Sequence, residues 1–209
     1  MFRPVVIAAA ALAATSVLAQ PAPATGLFIS PAGEPFRAAP GQPYPLPLWF
    51  TGADADHDGA ISPPEFDKDA LRFFAVLDAD HDGKITSVET RAYETNIAPE
   101  IVRKIPLLSD RGPARPSEAM RILPPPGGGS TRLRPPSEGA GFYALLNEPQ
   151  PVTAADIDYN SIITPLEWSA AAKRRFTRLD KTADRLLRPD ELPVPPVQAL
   201  MQADAAPRR

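Results

Sequence analysis

The chain has 209 residues, a formal net charge of −3, two histidines and no cysteine. This length allows one or two small domains with a buried core, and the mild charge argues against nucleic-acid binding, which needs a basic face. The lack of cysteine excludes disulfides, thiolate zinc sites and a cysteine nucleophile. Proline accounts for 28 of the 209 residues, or about 13%, against an average of about 5%. This excess predicts stretches of loop or extended chain.

The N-terminus has the features of an export signal. Arg3 supplies a positive charge, residues 5–18 form an alanine-rich apolar run, and Val17 and Ala19 favour cleavage after Ala19. The run is shorter than the ~20 residues of a membrane-spanning helix, although an uncleaved anchor is the alternative. We therefore predict a signal peptide over residues 1–19, a periplasmic or secreted mature protein, and no membrane span after cleavage.

The first half of the mature chain combines an unstructured lead with helices. Residues 20–47 are rich in proline, alanine and glycine and are predicted to be mostly disordered. Residues 48–102 form the first predicted folded unit. Apolar side chains at helical spacing predict a helix from Phe66 to Leu77. A second helix is expected from about Ser87 towards Ile97, ended by Pro99.

Two acidic segments flank the first of these helices, residues 54–65 and 78–89. Each has aspartates at positions 1, 3 and 5, glycine at position 6, isoleucine at position 8 and glutamate at position 12. Alternating carboxylates can surround one hard cation, the glycine permits a sharp turn, and position 7 offers its backbone carbonyl. The predicted ligands are Asp54, Asp56, Asp58, Ala60 and Glu65 in the first loop, and Asp78, Asp80, Asp82, Lys84 and Glu89 in the second.

Residues 103–141 are a proline- and glycine-rich connector with more basic than acidic residues. We expect it to be part flexible and part extended. An alternative function depends on this connector, because an extended segment from Pro124 to Pro136 could bind an unidentified protein partner, which would make the protein an adaptor.

The acidic pattern returns in weaker form over residues 142–197, and residues 198–209 are left as a tail. The predicted ligands of a third loop are Asp156, Asp158, Asn160, Ile162 through its carbonyl, and Glu167. Ser161 replaces the glycine, so this loop is either a weaker site or a structural remnant. A fourth loop keeps Asp180, Asp184 and Glu191 but has Arg185 at position 6, with Lys181 and Arg188 adding positive charge. We expect it to be kept for pairing rather than for ions.

The loops begin 24 residues apart in each half, at residues 54 and 78 and at residues 156 and 180. A single helix between two loops holds them at opposite ends, so the loops of one half cannot easily pair with each other. If the two inter-loop helices pack antiparallel, loop one meets loop four and loop two meets loop three. Ile61 would then pair with Leu187, and Ile85 with Ile163. The expected core consists of the aromatic side chains of Phe66, Phe74, Trp168 and Phe176.

The first two loops match the EF-hand pattern D-x-D-x-D-G-x-I-x-x-x-E in full, and the chain resembles the EF-hand family. The resemblance implies an all-α fold of duplicated loop-helix-loop units and binding of Ca²⁺, as a sensor, a buffer or a calcium-stabilised module. No set of catalytic residues remains outside the loops, so we expect no enzyme. The short spacing is also similar to that of lanmodulins, periplasmic lanthanide binders. Their proline at position 2 and acid at position 9 are replaced here, by Ala55 and Ala79 and by Ser62 and Thr86.

Overall fold

The computed structural model describes residues 26–102 and 139–205. Helices dominate this part of the chain, but a small sheet is also present, so the prediction of a purely all-α fold is wrong in that respect. The elements are β1 Gly26–Ile29, β2 Pro35–Ala38, α1 Leu46–Ala53, α2 Pro63–Leu77, α3 Ser87–Ala92, α4 Pro165–Leu179 and α5 Pro196–Ala205. The predicted signal peptide, most of the connector (103–138) and the end of the tail lie outside the described residues.

The hairpin of β1 and β2 corrects the prediction that residues 20–47 are mostly disordered. The two strands pair antiparallel from Gly26 opposite Ala38 to Ile29 opposite Pro35. All of β1 is buried, and Ile29 also forms a parallel bridge with Ala144 in the second half of the chain. The proline- and alanine-rich composition concealed this short apolar strand, which is stabilised by burial against distant residues.

Helices α2 and α4 form the centre of the fold. Both begin with proline at the first helical position, after Ser62 and Thr164 respectively, where the missing amide donor costs no hydrogen bond. The ring of Phe66 lies 5.5 Å from that of Phe176, and the ring of Phe74 lies 5.8 Å from that of Trp168, measured between centroids.

The indole of Trp168 adds a polar link between the two helices, because its Nε1 donates a hydrogen bond to the Ala70 carbonyl at 2.7 Å. The predicted aromatic core is therefore confirmed. Rings in edge-to-face contact of this kind contribute about 0.5–1.5 kcal/mol beyond the burial of their area.

The predicted loop pairing is also confirmed. Ile61 forms an antiparallel bridge with Leu187, and Ile85 forms one with Ile163. Each bridge has two backbone hydrogen bonds of 2.9–3.0 Å, and all four side chains are at most 2% exposed. Loop one therefore lies beside loop four, and loop two beside loop three, with α2 and α4 running antiparallel between the two pairs.

The helix predicted from Ser87 towards Ile97 changes its geometry midway. Helix α3 ends at Ala92, and a π-helical turn continues from Tyr93 to Ile97 before Pro99 opens a 3₁₀ turn. The wider turn contains Tyr93, which is fully buried and donates a hydrogen bond from its hydroxyl to the Gly33 carbonyl at 2.7 Å. Burial raises the pKa of this phenol. The contact joins α3 to the hairpin turn.

A buried arginine on α4 holds the segment that leads into loop three. Arg175 is 3% exposed, its Nε donates to Glu148 at 2.8 Å, and its Nη2 donates to the Pro151 carbonyl at 2.5 Å. Burial lowers the pKa of the guanidinium, and the charge of Glu148 opposes this shift.

Among the described residues, no helix has the length and apolar character needed to cross a bilayer.

Candidate metal-binding loops

All four loops share one backbone shape, although their sequences differ. Position 6 has a positive φ in each loop, a conformation that glycine adopts without steric cost and other L-residues adopt rarely. The φ values are 88° at Gly59, 81° at Gly83, 65° at Ser161 and 66° at Arg185. Ser161 and Arg185 therefore adopt a conformation that is strained for a residue with a Cβ atom. The φ angle at position 4 is also positive in every loop, at His57, His81, Tyr159 and Ala183.

Backbone amides fix the acidic side chains inside each loop. The position-1 carboxylate accepts a hydrogen bond from the position-6 amide in all four loops, at 2.9–3.0 Å. The position-5 side chain accepts one from the position-7 amide at 2.7–3.0 Å. The position-5 ligands Asp58, Asp82 and Asn160 are thus turned into their own loops. Each loop is therefore held in shape by hydrogen bonds between its own residues.

The glutamate at position 12 closes each of the first three loops from the start of the following helix. In loop one, Glu65 Oε2 accepts from the Ser62 amide at 2.9 Å and its hydroxyl at 2.7 Å, and Oε1 accepts from the Ala55 amide at 2.9 Å. Glu89 with Thr86, and Glu167 with Thr164, repeat this arrangement. These are capping boxes, so one carboxylate both begins the helix and spans the loop.

Hydrogen bonding lowers the pKa of all three glutamates. The largest cause is the Ser62 hydroxyl for Glu65 and the Thr164 amide for Glu167. Burial of Glu89 opposes the shift and is its largest single influence, but the combined hydrogen bonds from Thr86, Ala79 and Asp80 outweigh it and lower the pKa. The glutamates are therefore ionised over a wider pH range than usual, as a cation site requires.

Carboxylates converge in the first three loops. Oxygens of positions 1, 3 and 12 lie within 4.8 Å of one another in each: Asp54, Asp56 and Glu65; Asp78, Asp80 and Glu89; Asp156, Asp158 and Glu167. The structure thus brings together nine of the predicted ligands, whereas Asp58 and Asp82 at position 5 lie outside these clusters. The carbonyls of Ala60, Lys84 and Ile162 stay predictions.

The oxygen Oδ1 of Asp78 indicates whether a cation fits loop two. Asp78 is 6% exposed, and its Oδ1 is buried without a hydrogen-bond partner among the described residues. An unpaired buried carboxylate oxygen carries a large desolvation cost, which a bound cation offsets. With oxygen ligands alone and no thiolate, the set suits a hard ion such as Ca²⁺. His57 and His81, at position 4 of loops one and two, are exposed.

Loop four differs in its charges. Among the residues described, it contains no convergent set of three carboxylates like the others. Arg188 occupies position 9, and its Nη1 lies 2.6 Å from Asp184 Oδ2 and 3.5 Å from Glu191 Oε1. The positive charge of Arg188 in this loop was predicted from the sequence, but its placement between the two acids was not. Its position-9 location, where the other loops have serine or threonine, was the available signal.

Comparison with known proteins identifies two of the four loops. A family model described as EF hand matches residues 48–68 and 72–92. These ranges contain the predicted ligands of loops one and two together with the first turns of the helices that follow. No curated protein and no solved structure matches the chain. The assignment of the third and fourth loops therefore depends on their spacing and their backbone shape.

Proposed function

Because residues 48–68 and 72–92 are EF hands, we propose that this protein binds calcium ions through loops one, two and three, and that the ions stabilise its fold. The observation that carries the proposal is the convergence of three carboxylates within 4.8 Å in each of these loops. Three like charges at such distances repel one another, so a divalent cation between them stabilises the folded chain.

Calcium is favoured over other ions by the ligand set. It accepts six to eight oxygens in an adaptable geometry, whereas magnesium requires a near-ideal octahedron and retains several waters. The twelve-residue loop and the glutamate at position 12 supply that larger number of oxygens. Exported modules of this chemistry bind calcium at ~10⁻⁴–10⁻³ M, and lanthanide ions, which also prefer oxygen ligands, are the alternative cargo.

The test is calorimetric titration of the chain with calcium, then magnesium and lanthanum, in the wild type and in three single variants. Glu65→Gln, Glu89→Gln and Glu167→Gln should each weaken calcium binding at one site by about 100-fold or more. This loss exceeds the 10–100-fold effect of changing a residue that only hydrogen-bonds to a metal ligand. Glu94→Gln is the control, because Glu94 lies outside the loops and accepts a hydrogen bond from Gln150 at 3.0 Å. Unchanged calcium heats in the three variants would refute the proposal.

A sensor role is the second candidate, and one groove favours it. The groove has a volume of ≈ 470 Å³ and lies between α2 and α4 near loops one and four, with Phe66, Ala172 and Phe176 among its lining residues. A sensor exposes more apolar surface when it binds calcium. Binding of a hydrophobic dye should then rise with calcium, whereas a calcium-stabilised module should show only a higher melting temperature.

Export and a non-catalytic role complete the proposal. The arginine and apolar run over residues 1–19 support export to the periplasm or the medium. The sequence read from the N-terminus of the exported protein should begin at Gln20.

The adaptor alternative predicts that deletion of residues 124–136 abolishes capture of a protein partner and leaves calcium affinity nearly unchanged.

A further inference from the structure

The closing glutamate of loop four lacks the partners that its equivalents have. In loops one to three, the position-9 amide and hydroxyl both donate to Oε2 of the position-12 glutamate. In loop four, Arg188 stands at position 9, Pro189 follows it, and no helix begins at position 10, because α5 starts only at Pro196. Glu191 Oε2 is consequently buried without a hydrogen-bond partner among the described residues. The carboxylate needs another source of positive charge.

The guanidinium of Arg188 supplies that charge. It donates to Asp184 at position 5 and lies beside Glu191 at position 12, 2.6 Å and 3.5 Å away. A bound ion would lie between the same two positions in a metal-binding EF hand. The hydrogen bond from Arg188 lowers the pKa of Asp184. The remaining acid, Asp180, is held by the amides of Ala183 and Arg185 at 2.7 and 3.0 Å.

We infer that Arg188 is the built-in cation of loop four: its guanidinium takes the place of a metal ion, and it keeps the loop closed and paired with loop one. The loop retains the hydrogen bonds from position 6 to position 1 and from position 7 to position 5, and the bridge between Leu187 and Ile61. Its shape is therefore maintained by a side chain of the chain itself, and it takes up no calcium.

This assignment makes the two loop pairs unequal. Loop one has a partner that is ordered at all calcium concentrations, so it should bind its ion independently. Loops two and three both carry carboxylate clusters, and each orders the other through the bridge between Ile85 and Ile163 when it binds. This consequence, unlike the role of Arg188 in the calcium-free protein, rests on the proposed function.

The experiment compares three variants of the full chain. Arg188→Gln removes the guanidinium, and Arg188→Lys retains a positive charge at the same position. Lys181→Gln is the matched control: it removes one charge from the same loop, and Lys181 makes no hydrogen bond or ion pair within the described part of the chain. Denaturant unfolding in excess chelator measures the calcium-free protein, and equilibrium dialysis with calcium counts bound ions.

In chelator, Arg188→Gln should unfold at a lower denaturant concentration than Lys181→Gln, and Arg188→Lys should recover most of the difference. With calcium, Arg188→Gln should bind one ion more than the wild type, while Lys181→Gln should not. Identical unfolding of the Arg188→Gln and Lys181→Gln variants in chelator would overturn the inference, as would a wild type that binds four ions. A wild type that binds none would refute the proposed function alone, because the chelator comparison still decides the role of Arg188.

Discussion

At the scale of single residues, position 6 decides how much each loop costs to form. Gly59 and Gly83 adopt a positive φ freely, whereas Ser161 and Arg185 adopt the same conformation with a Cβ atom. For an L-residue this conformation costs on the order of 1–2 kcal/mol. The two weaker loops are therefore strained at the same backbone position, and Ser161 is the one of these two positions that lies in a loop with a carboxylate cluster.

We predict that Ser161→Gly stabilises the protein and strengthens loop three. The expected gain is about 1 kcal/mol, offset in part by the greater freedom of glycine in the unfolded chain. About 1 kcal/mol corresponds to roughly fivefold in calcium affinity. Calorimetry on the variant measures the affinity, and Gly59→Ser provides the reverse substitution in loop one. Equal calcium affinities of loop three before and after the change would show that the strain at Ser161 does not oppose calcium binding.

At the scale of elements, the capping boxes connect helix formation to the ionisation of the loops. A carboxylate whose pKa is lower in the folded than in the unfolded state stabilises the fold above the unfolded pKa. That contribution is lost as the pH falls through the folded pKa. Glu65, Glu89 and Glu167 all have lowered pKa values. The calcium-free protein should therefore lose stability from about pH 4.3, the usual pKa of glutamate, downward.

Thr86→Val tests this link at one helix. The variant removes a hydroxyl that donates to Glu89 Oε2 at 2.9 Å, and it should cost about 1 kcal/mol at pH 7, as the loss of a helix cap does. The cost should shrink as the pH falls and Glu89 becomes protonated. The control is Thr95→Val, because the Thr95 hydroxyl donates to the Arg91 carbonyl at 2.8 Å. Denaturant unfolding in chelator at several pH values gives both costs, and a cost for Thr86→Val that does not change with pH would contradict the mechanism.

The bridge between Ile85 and Ile163 connects loops two and three. Ile85 is fully buried, and Ile85→Ala should destabilise the protein by about 2–5 kcal/mol. It should also weaken calcium binding by loop three, which contains no substitution. Val76→Ala on α2 is the control, since Val76 is 52% exposed and surface changes usually stay within about 0.5 kcal/mol. Normal calcium affinity of loop three in Ile85→Ala would show that the two loops bind independently.

The elements differ in how far the sequence predicts them, for a physical reason. A cation site needs ligands at fixed intervals along the chain, so the pattern from Asp54 to Glu65 identifies the loop without tertiary information. The loop pairing also follows, because one short helix keeps the two loops of a half apart. The strand Gly26–Ile29 depends on Ala144, far along the chain, and the π-helical turn contains Tyr93, whose hydroxyl bonds Gly33. Such contacts leave no periodic signal.

The arrangement of charges within loop four is also only partly predictable from the sequence. Loop four was predicted to be kept for pairing rather than for ions, because Arg185 stands where a glycine is expected and Lys181 and Arg188 add positive charge. The sequence does not say whether a long charged side chain turns into the loop or into solvent. That choice depends on Glu191, which no helix cap satisfies, and the placement of Arg188 became visible only in the structure.

At the scale of the whole molecule, the two halves of the chain depend on each other. Both loop pairs join one half to the other, through Ile61 with Leu187 and Ile85 with Ile163. The aromatic contacts of the core also cross between the halves, as do the bridge from Ile29 to Ala144 and the hydrogen bond from Trp168 to Ala70. Each half alone would expose the apolar face of its central helix to water, so neither half is expected to fold by itself.

Cutting the connector should therefore leave the two halves associated. With a specific protease site inserted within residues 103–138, the cleaved protein should elute as one species and unfold in one transition, because the contacts between the halves do not require a covalent link. The fragments separated in denaturant should show little helix by circular dichroism until they are mixed again. Calcium should tighten the reassembled complex, since each loop pair is formed by both halves and an ion that binds the paired form more tightly stabilises it. The same cut in the double variant Ile85→Ala, Ile163→Ala should release the fragments. If the two halves of the cleaved wild type separate and each keeps its helical signal, the halves are independent domains.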